Sequence, residues 1–240
     1  MDKKLTGLII DLEDTYKDRL VSIILYGSAA FGEFREKVSD LNLIVVLEQM
    51  TASDLKLAHS AMKKWLKTEY PLPVFMDKQE MLNSCDIYPI EYSDIKERHK
   101  ILFGEDFLDS LVINKEYLRL QCEAEIRNLL IKLRQGYLRN SNDKKAINNM
   151  IKKGTSSIIA IFRAVLRIMG EEVPLSHKEV IELLAEKISY DKEVFASILK
   201  LRENNKDLSL DNSVTVIQKM IDSLKQILMY VDKHKCQEEV

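Results

Sequence analysis

Apolar positions along the first part of the chain follow two alternating rhythms. Leu5, Leu8, Ile9 and Leu12 share one face at helical spacing, which predicts a helix over residues 3–18. An unbroken apolar run from Val21 to Tyr26 then reads as a strand that stops at Gly27, and Leu41 to Leu47 reads as a second strand. Thr51-Ala52-Ser53-Asp54 opens another helix, with Leu57, Ala61 and Trp65 expected inward. Pro73 to Met76 reads as a short strand. Ile87 to Tyr92 reads as a further strand, in which Pro89 marks an edge or a bend. The turn Phe103-Gly104-Glu105-Asp106 closes this alternating region, and Arg98-His99 before it is read as helical.

From about residue 115 the period is helical throughout. Ile126, Leu130, Leu133 and Tyr137 line one face over 115–139, and Ile147, Ile151, Ile158, Phe162, Val165 and Met169 line another over 144–169. Gly170 and Pro174 end that helix, and Ser176 with Glu179 three residues on is the signature of the next helix start. A shorter helix is expected over 191–202 and a last one over 212–234. Loops are expected at Asn140 to Asp143 and Asn204 to Asn212. The fold class predicted is α+β: a small mixed sheet with helices over 1–112, then an all-α helical bundle over 113–240.

Composition narrows the function classes. Of 240 residues, 46% are hydrophobic and 31% charged, which excludes a disordered chain. No apolar run reaches the roughly 18 residues of a bilayer-spanning helix, and the N-terminal segment lacks the apolar stretch of a secretory signal. Cys85, Cys122 and Cys236 lie far apart without a CxxC pair, so neither a disulfide framework nor a structural zinc site is expected. A cytoplasmic protein with no membrane partner is the expectation.

Charge divides the chain. Residues 1–110 carry 14 basic and 20 acidic groups, whereas 115–170 carry 12 basic and 4 acidic. Such asymmetry suggests two units with different partners, the basic one facing an anion. Arg127 and Arg134, seven residues apart on one helical face, are the candidates for holding its phosphates. Tyr117 and Tyr137 are too few exposed aromatics for a nucleic-acid surface. His59, His99, His177 and His234 show neither ligand spacing nor a triad partner in the sequence.

The stretch with chemical content runs from Tyr26-Gly27-Ser28-Ala29-Ala30 to Ser39-Asp40-Leu41-Asn42-Leu43. A buried strand that ends at a Gly-Ser turn offers backbone N–H groups and a hydroxyl to a phosphate. Strand alternation sets Asp40 and Asn42 on one face with Leu41 and Leu43 on the other. Two oxygen-bearing side chains beside a phosphate-binding turn suit a Mg²⁺–nucleotide site.

This pattern resembles the polymerase-β-like nucleotidyltransferases, whose signature is Gly-Ser, about ten residues, then Asp–apolar–Asp/Glu–apolar. Eleven residues separate Ser28 from Asp40 here. The segment Tyr88-Pro89-Ile90-Glu91-Tyr92-Ser93-Asp94 is similar to bacterial members of the family. The helical part looks like the bundle that follows this domain in its small-molecule members. The resemblance implies transfer of a nucleoside monophosphate from NTP, with Mg²⁺ or Mn²⁺, to a small-molecule or protein hydroxyl. Gly27 and Ser28 would hold the triphosphate; Asp40, Asn42 and a third acid would hold metal; that third acid would also activate the acceptor. Glu91 is preferred for it and Asp77 is the alternative. Asn42 departs from the family by bringing no charge where a second acid is usual. The alternative function is therefore an impaired nucleotidyltransferase-fold protein acting as a nucleotide-binding or interaction module. The oligomeric state, a homodimer included, stays open.

Overall fold

The computed structural model describes residues 3–31, 41–204 and 206–234; of Ser28 and Phe31 it describes the backbone alone. The chain divides into two compact units, Met1–Ile113 and Asn114–Val240. In the first, α1 (Lys3–Tyr16) leads into β1 (Leu20–Tyr26), a 3₁₀ turn over Gly27–Phe31, β2 (Asn42–Leu47) and α2 (Ala52–Ala61). Then follow β3 (Val74–Asp77), α3 (Lys78–Asn83), α4 (Pro89–Glu97) and β4 (His99–Gly104). The sheet order is β3-β2-β1-β4, with β2 and β3 parallel and β1 antiparallel to both of its neighbours.

Both faces of this mixed sheet are covered, which explains the unbroken apolar runs of β1 and β2. Ile23, Leu25, Leu43, Val45 and Leu47 pack against Leu5, Leu8, Leu12 and Tyr16 of α1 and against Trp65. Ile24, Ile44 and Val46 point the other way, onto Met81 of α3 and Tyr92 and Ile95 of α4.

Three expectations are corrected here. Residues 87–92 are not a strand: Pro89 is the first residue of α4, where its fixed φ suits the helix and its missing N–H would have no partner anyway. The strand that sequence periodicity missed is β4, read as a helix end and a turn. Its apolar stretch Ile101-Leu102-Phe103 is too short to show a period, and β4 exists through its pairing with β1. Gly104 ends it at φ +79, where a side chain would collide with the Val21 carbonyl. Finally, α2 turns Asp54 and Ala58 inward, while Leu57 is exposed.

The inward Asp54 is a junction. Its carboxylate accepts from Arg19 Nη2 (2.8 Å), Thr51 Oγ1 (2.7 Å) and Thr51 N (2.8 Å), and its carbonyl accepts from the Tyr16 hydroxyl (2.6 Å). These bonds tie the end of α1, the 3₁₀ turn Lys17–Arg19 that leads into β1, and the start of α2 together.

The second unit comprises α5 (Lys115–Asn140), α6 (Lys144–Ile168), α7 (His177–Lys187), α8 (Lys192–Glu203) and α9 (Leu210–Lys233). Asn114, Asp143, Ser176, Asp191 and Ser209 each cap the helix that follows by accepting a backbone N–H. The core gathers around Phe162, which meets Phe195 and Tyr190 edge-on. Buried Asn148 holds the segment before α9 through both its amide atoms and the backbone of Leu208. Among the described residues no helix is long and apolar enough to cross a membrane.

The Arg19 hydrogen bond, followed by those from Thr51, holds the Asp54 carboxyl below the usual carboxylate range. A lowered folded value means stability that is present above about pH 4 and lost as pH falls through the folded value. Arg19→Ala should therefore move the acid-unfolding midpoint to higher pH. Asp54→Asn should flatten the dependence of stability on pH below about pH 4. Acid titrations followed by circular dichroism check both.

Candidate nucleotide-binding site

The end of β1 organises the site. Tyr26, its last residue, is paired across the sheet with Asn42 of β2 on one side and with His99 of β4 on the other. Directly paired residues of antiparallel strands face the same way, so Asn42, Tyr26 and His99 form one transverse row. At about 4.8 Å per strand the row is about 10 Å long. It lies on the face that α4 covers.

Gly27 follows Tyr26 at φ +75, and a Cβ built on it would stand 3.4 Å from Asn42 Nδ2. The Gly-Ser turn is thus brought against the first residue of β2, in a backbone conformation that favours glycine. Asp40 and the loop residues Glu33, Glu36 and Lys37 lie outside the described residues, as does the side chain of Ser28.

Glu91 sits in the first turn of α4, where a carboxylate is favoured by the helix dipole. Its charge acts on Tyr26. Burial raises the Tyr26 phenol above its ordinary value, and the negative charge of Glu91 raises it further. Gly27 and Asn42 therefore adjoin Tyr26, and the charge of Glu91 is felt there. Asp77 stands apart from them. It pairs with Leu47, five residues and about 16 Å along β2 from Asn42. Its carboxylate caps α3 by accepting from Glu80 N (2.7 Å).

Two members of the row were invisible as site residues in the sequence. The alternation of β1 sets Tyr26 on the Ile24 face, but only register matches it to Asn42. His99 is not an isolated helical histidine: it begins β4, and its ring is held on several sides. Nδ1 donates to the carbonyls of Ile95 (2.9 Å) and Lys96 (3.1 Å), and Nε2 lies 3.0 Å from Asp106 Oδ2. Burial works against the charged form of Asp106, but bonds from His99 and Leu108 N outweigh it and hold the carboxyl below its usual range.

The bundle arginines differ from each other. Arg127 donates from Nε and Nη2 to Glu123 Oε1 (2.9 and 2.7 Å) and lies 3.7 Å from Asp232. Arg134 is exposed on α5, and no ion pair is recorded for it among the described residues. No group of three or more His, Cys, Asp or Glu side chains suited to a metal ion occurs among the described residues. Asn42 and Glu91 would have to act with a further acid to hold one.

No protein-family model and no curated protein sequence matches the chain. Among solved structures, it is similar to the spectinomycin adenyltransferase AAD(9) from Enterococcus faecialis, solved with ATP and spectinomycin. The TM-score is 0.60 at 17% identity, over 95% of this chain and 98% of that one. This is the polymerase-β-like nucleotidyltransferase fold. The row and the turn belong to the first unit, and the two arginines belong to the helical unit.

Removing the charge of Glu91 tests its nearness to Tyr26. Glu91→Gln should lower the Tyr26 phenol towards its ordinary value, because one of the two influences raising it is gone. Ring-labelled tyrosine NMR, with Tyr26→Phe to assign the signal, would follow it. An unmoved titration would separate Glu91 from the row.

Proposed function

We propose that the chain is a nucleotidyltransferase that moves a nucleoside monophosphate from NTP to the hydroxyl of a small molecule. The observation that supports this most is the approach of the Gly27 turn to Asn42, with Glu91 on the same side beside Tyr26. A phosphate-binding turn and an acid that can take a proton are the two functions such a transfer needs from the protein. The structural neighbour carried ATP and spectinomycin, which supports ATP as donor and a small hydroxylated acceptor here.

In this reading the N–H groups of the turn at Gly27 and Ser28 hold the triphosphate. The acceptor oxygen forms a bond to the α-phosphorus, the bond from that phosphorus to the bridging oxygen breaks, and pyrophosphate leaves. Glu91 takes the acceptor proton. Asp40 and Glu91, with the Asn42 amide oxygen as a neutral ligand, would hold a divalent ion such as Mg²⁺ or Mn²⁺, which would supply positive charge for the phosphates. Arg134 adds charge for the phosphates; Arg127 adds less, because Glu123 already neutralises it.

One observation favours a second reading. Asn42 gives the site one carboxylate fewer than a two-metal transfer uses, which suits a module that binds nucleotide without turning it over. Metal-dependent pyrophosphate release from each NTP, compared with Glu91→Gln, decides between them. Release that vanishes in the variant supports the enzyme. NTP binding without release, in the wild type and in Asn42→Asp alike, supports the module.

Restoring the acid by Asn42→Asp should tighten Mn²⁺ binding about tenfold, equal to 1.4 kcal/mol, by calorimetry. Unchanged affinity with an intact fold would count against metal at this position. Arg134→Ala should weaken NTP binding about tenfold at low salt and less at high salt, with Arg127→Ala causing a smaller loss. Equal losses would show that the Glu123 ion pair does not decide the contribution of Arg127.

A further inference from the structure

The bundle contains a cavity of about 340 Å³ bounded by α5, α6 and α9. Its walls are apolar: Leu129 and Leu133 from α5, Met150, Ile158 and Ile161 from α6, and Met220 from α9. Cavities between bundle helices, of this size and with this lining, are common sites for small ligands. Two thioether side chains in the wall let it adapt to an occupant.

Two glycines inside long helices bear on this space, and each acts differently. A Cβ built on Gly154 meets nothing within 4 Å, although Gly154 lines the cavity. No neighbour therefore requires glycine there, and a mid-helix glycine weakens a helix relative to alanine. What its bare backbone does is keep the wall open. At Gly136 the sulfur of Met150 occupies the place a Cβ would take. That glycine lets the Met150 side chain lie down against α5.

The mouth is charged. Glu125, Lys132, Lys153 and Ser157 also line the cavity, and no ion pair is recorded for the two lysines or for Glu125 among the described residues. Neighbouring Lys152, by contrast, pairs with Asp207 at 2.7 Å. Two ammonium groups against one carboxylate leave an excess of positive charge over an apolar interior. An anionic head with an apolar body complements it.

We propose that this cavity is a binding site for a small amphipathic carboxylate, its apolar body among the helices and its head at Lys132 and Lys153. A cavity of about 150 Å³ holds one benzene, so by proportion this one has room for a body of up to roughly fourteen carbon-sized atoms. The site lies wholly within the helical unit and does not depend on the transfer reaction.

Octanoate is a suitable probe, with octylammonium and octanol as comparators, titrated into the full chain by calorimetry. Octanoate should bind at one saturable site, at least tenfold more tightly than octylammonium. In methionine-methyl NMR spectra it should shift the signals of Met150 and Met220. Gly154→Leu, which fills the space where a Cβ meets nothing, should weaken octanoate at least tenfold while the helical circular dichroism is kept. The double variant Lys132→Glu, Lys153→Glu changes only exposed side chains and should reverse the preference towards octylammonium, so the test survives if Gly154→Leu does not fold. Absence of saturable octanoate binding overturns the proposal, as does wild-type affinity in Gly154→Leu. Octanoate and octylammonium binding equally well, or an unreversed preference in the double variant, overturns the assignment of the head group.

Discussion

The cross-strand register of β1 is the constraint on which the candidate site depends. Side chains alternate between the faces of a strand, so a slip of one residue would send Tyr26 to the α1 face and separate it from Asn42, His99 and Glu91. Burial opposes that slip strongly. Ile23 and Ile24 are both fully buried on opposite faces, each fitted to a different set of helices. Ser22 adds a polar restraint, donating from Oγ to the Phe103 carbonyl (3.1 Å) while fully buried. The same antiparallel pairs that make the core therefore aim the polar row.

Around this register the first unit is braced at both ends. At one end, Arg19, Thr51, Tyr16 and Asp54 join the end of α1 and the turn after it to the start of α2 through buried or half-buried hydrogen bonds. At the other, His99 and Asp106 join the last turn of α4 to β4 and to the turn behind it. The second brace holds the C-terminal end of α4, the helix whose N-terminal turn carries Glu91.

The chemistry of the row is unusual in its charge. A neutral amide, a phenol and a histidine already engaged by Asp106 stand where a nucleotide site would be richer in carboxylate. Burial raises the Tyr26 phenol and Glu91 adds to it, so Tyr26 stays a neutral hydroxyl at ordinary pH. Among the described residues, Glu91 is the charged group that acts on Tyr26.

Much of the architecture was determined by the sequence alone, because it is written in local patterns. Unbroken apolar runs marked β1 and β2, and the Gly27-Ser28 turn followed by Asp40 and Asn42 marked out the candidate site. Helical periodicity with Gly170 and Ser176 laid out the bundle. Glu91 was singled out as an acid, yet its strand was misread, since Pro89 starts a helix as readily as it bends an edge. Tertiary structure alone decided the rest. β4 has too short an apolar run to be recognised without its partner β1, and the pairing of His99 with Tyr26 and Asp106 follows from that partnership. Asp77 and Glu91 look alike as residues after apolar runs; only the parallel register of β3 puts one at the far end of the sheet, and only α4 brings the other to Tyr26. The physical reason is common to all of these: periodicity reports which way a side chain faces within its own element, whereas register and helix docking are set by contacts between residues far apart in the chain.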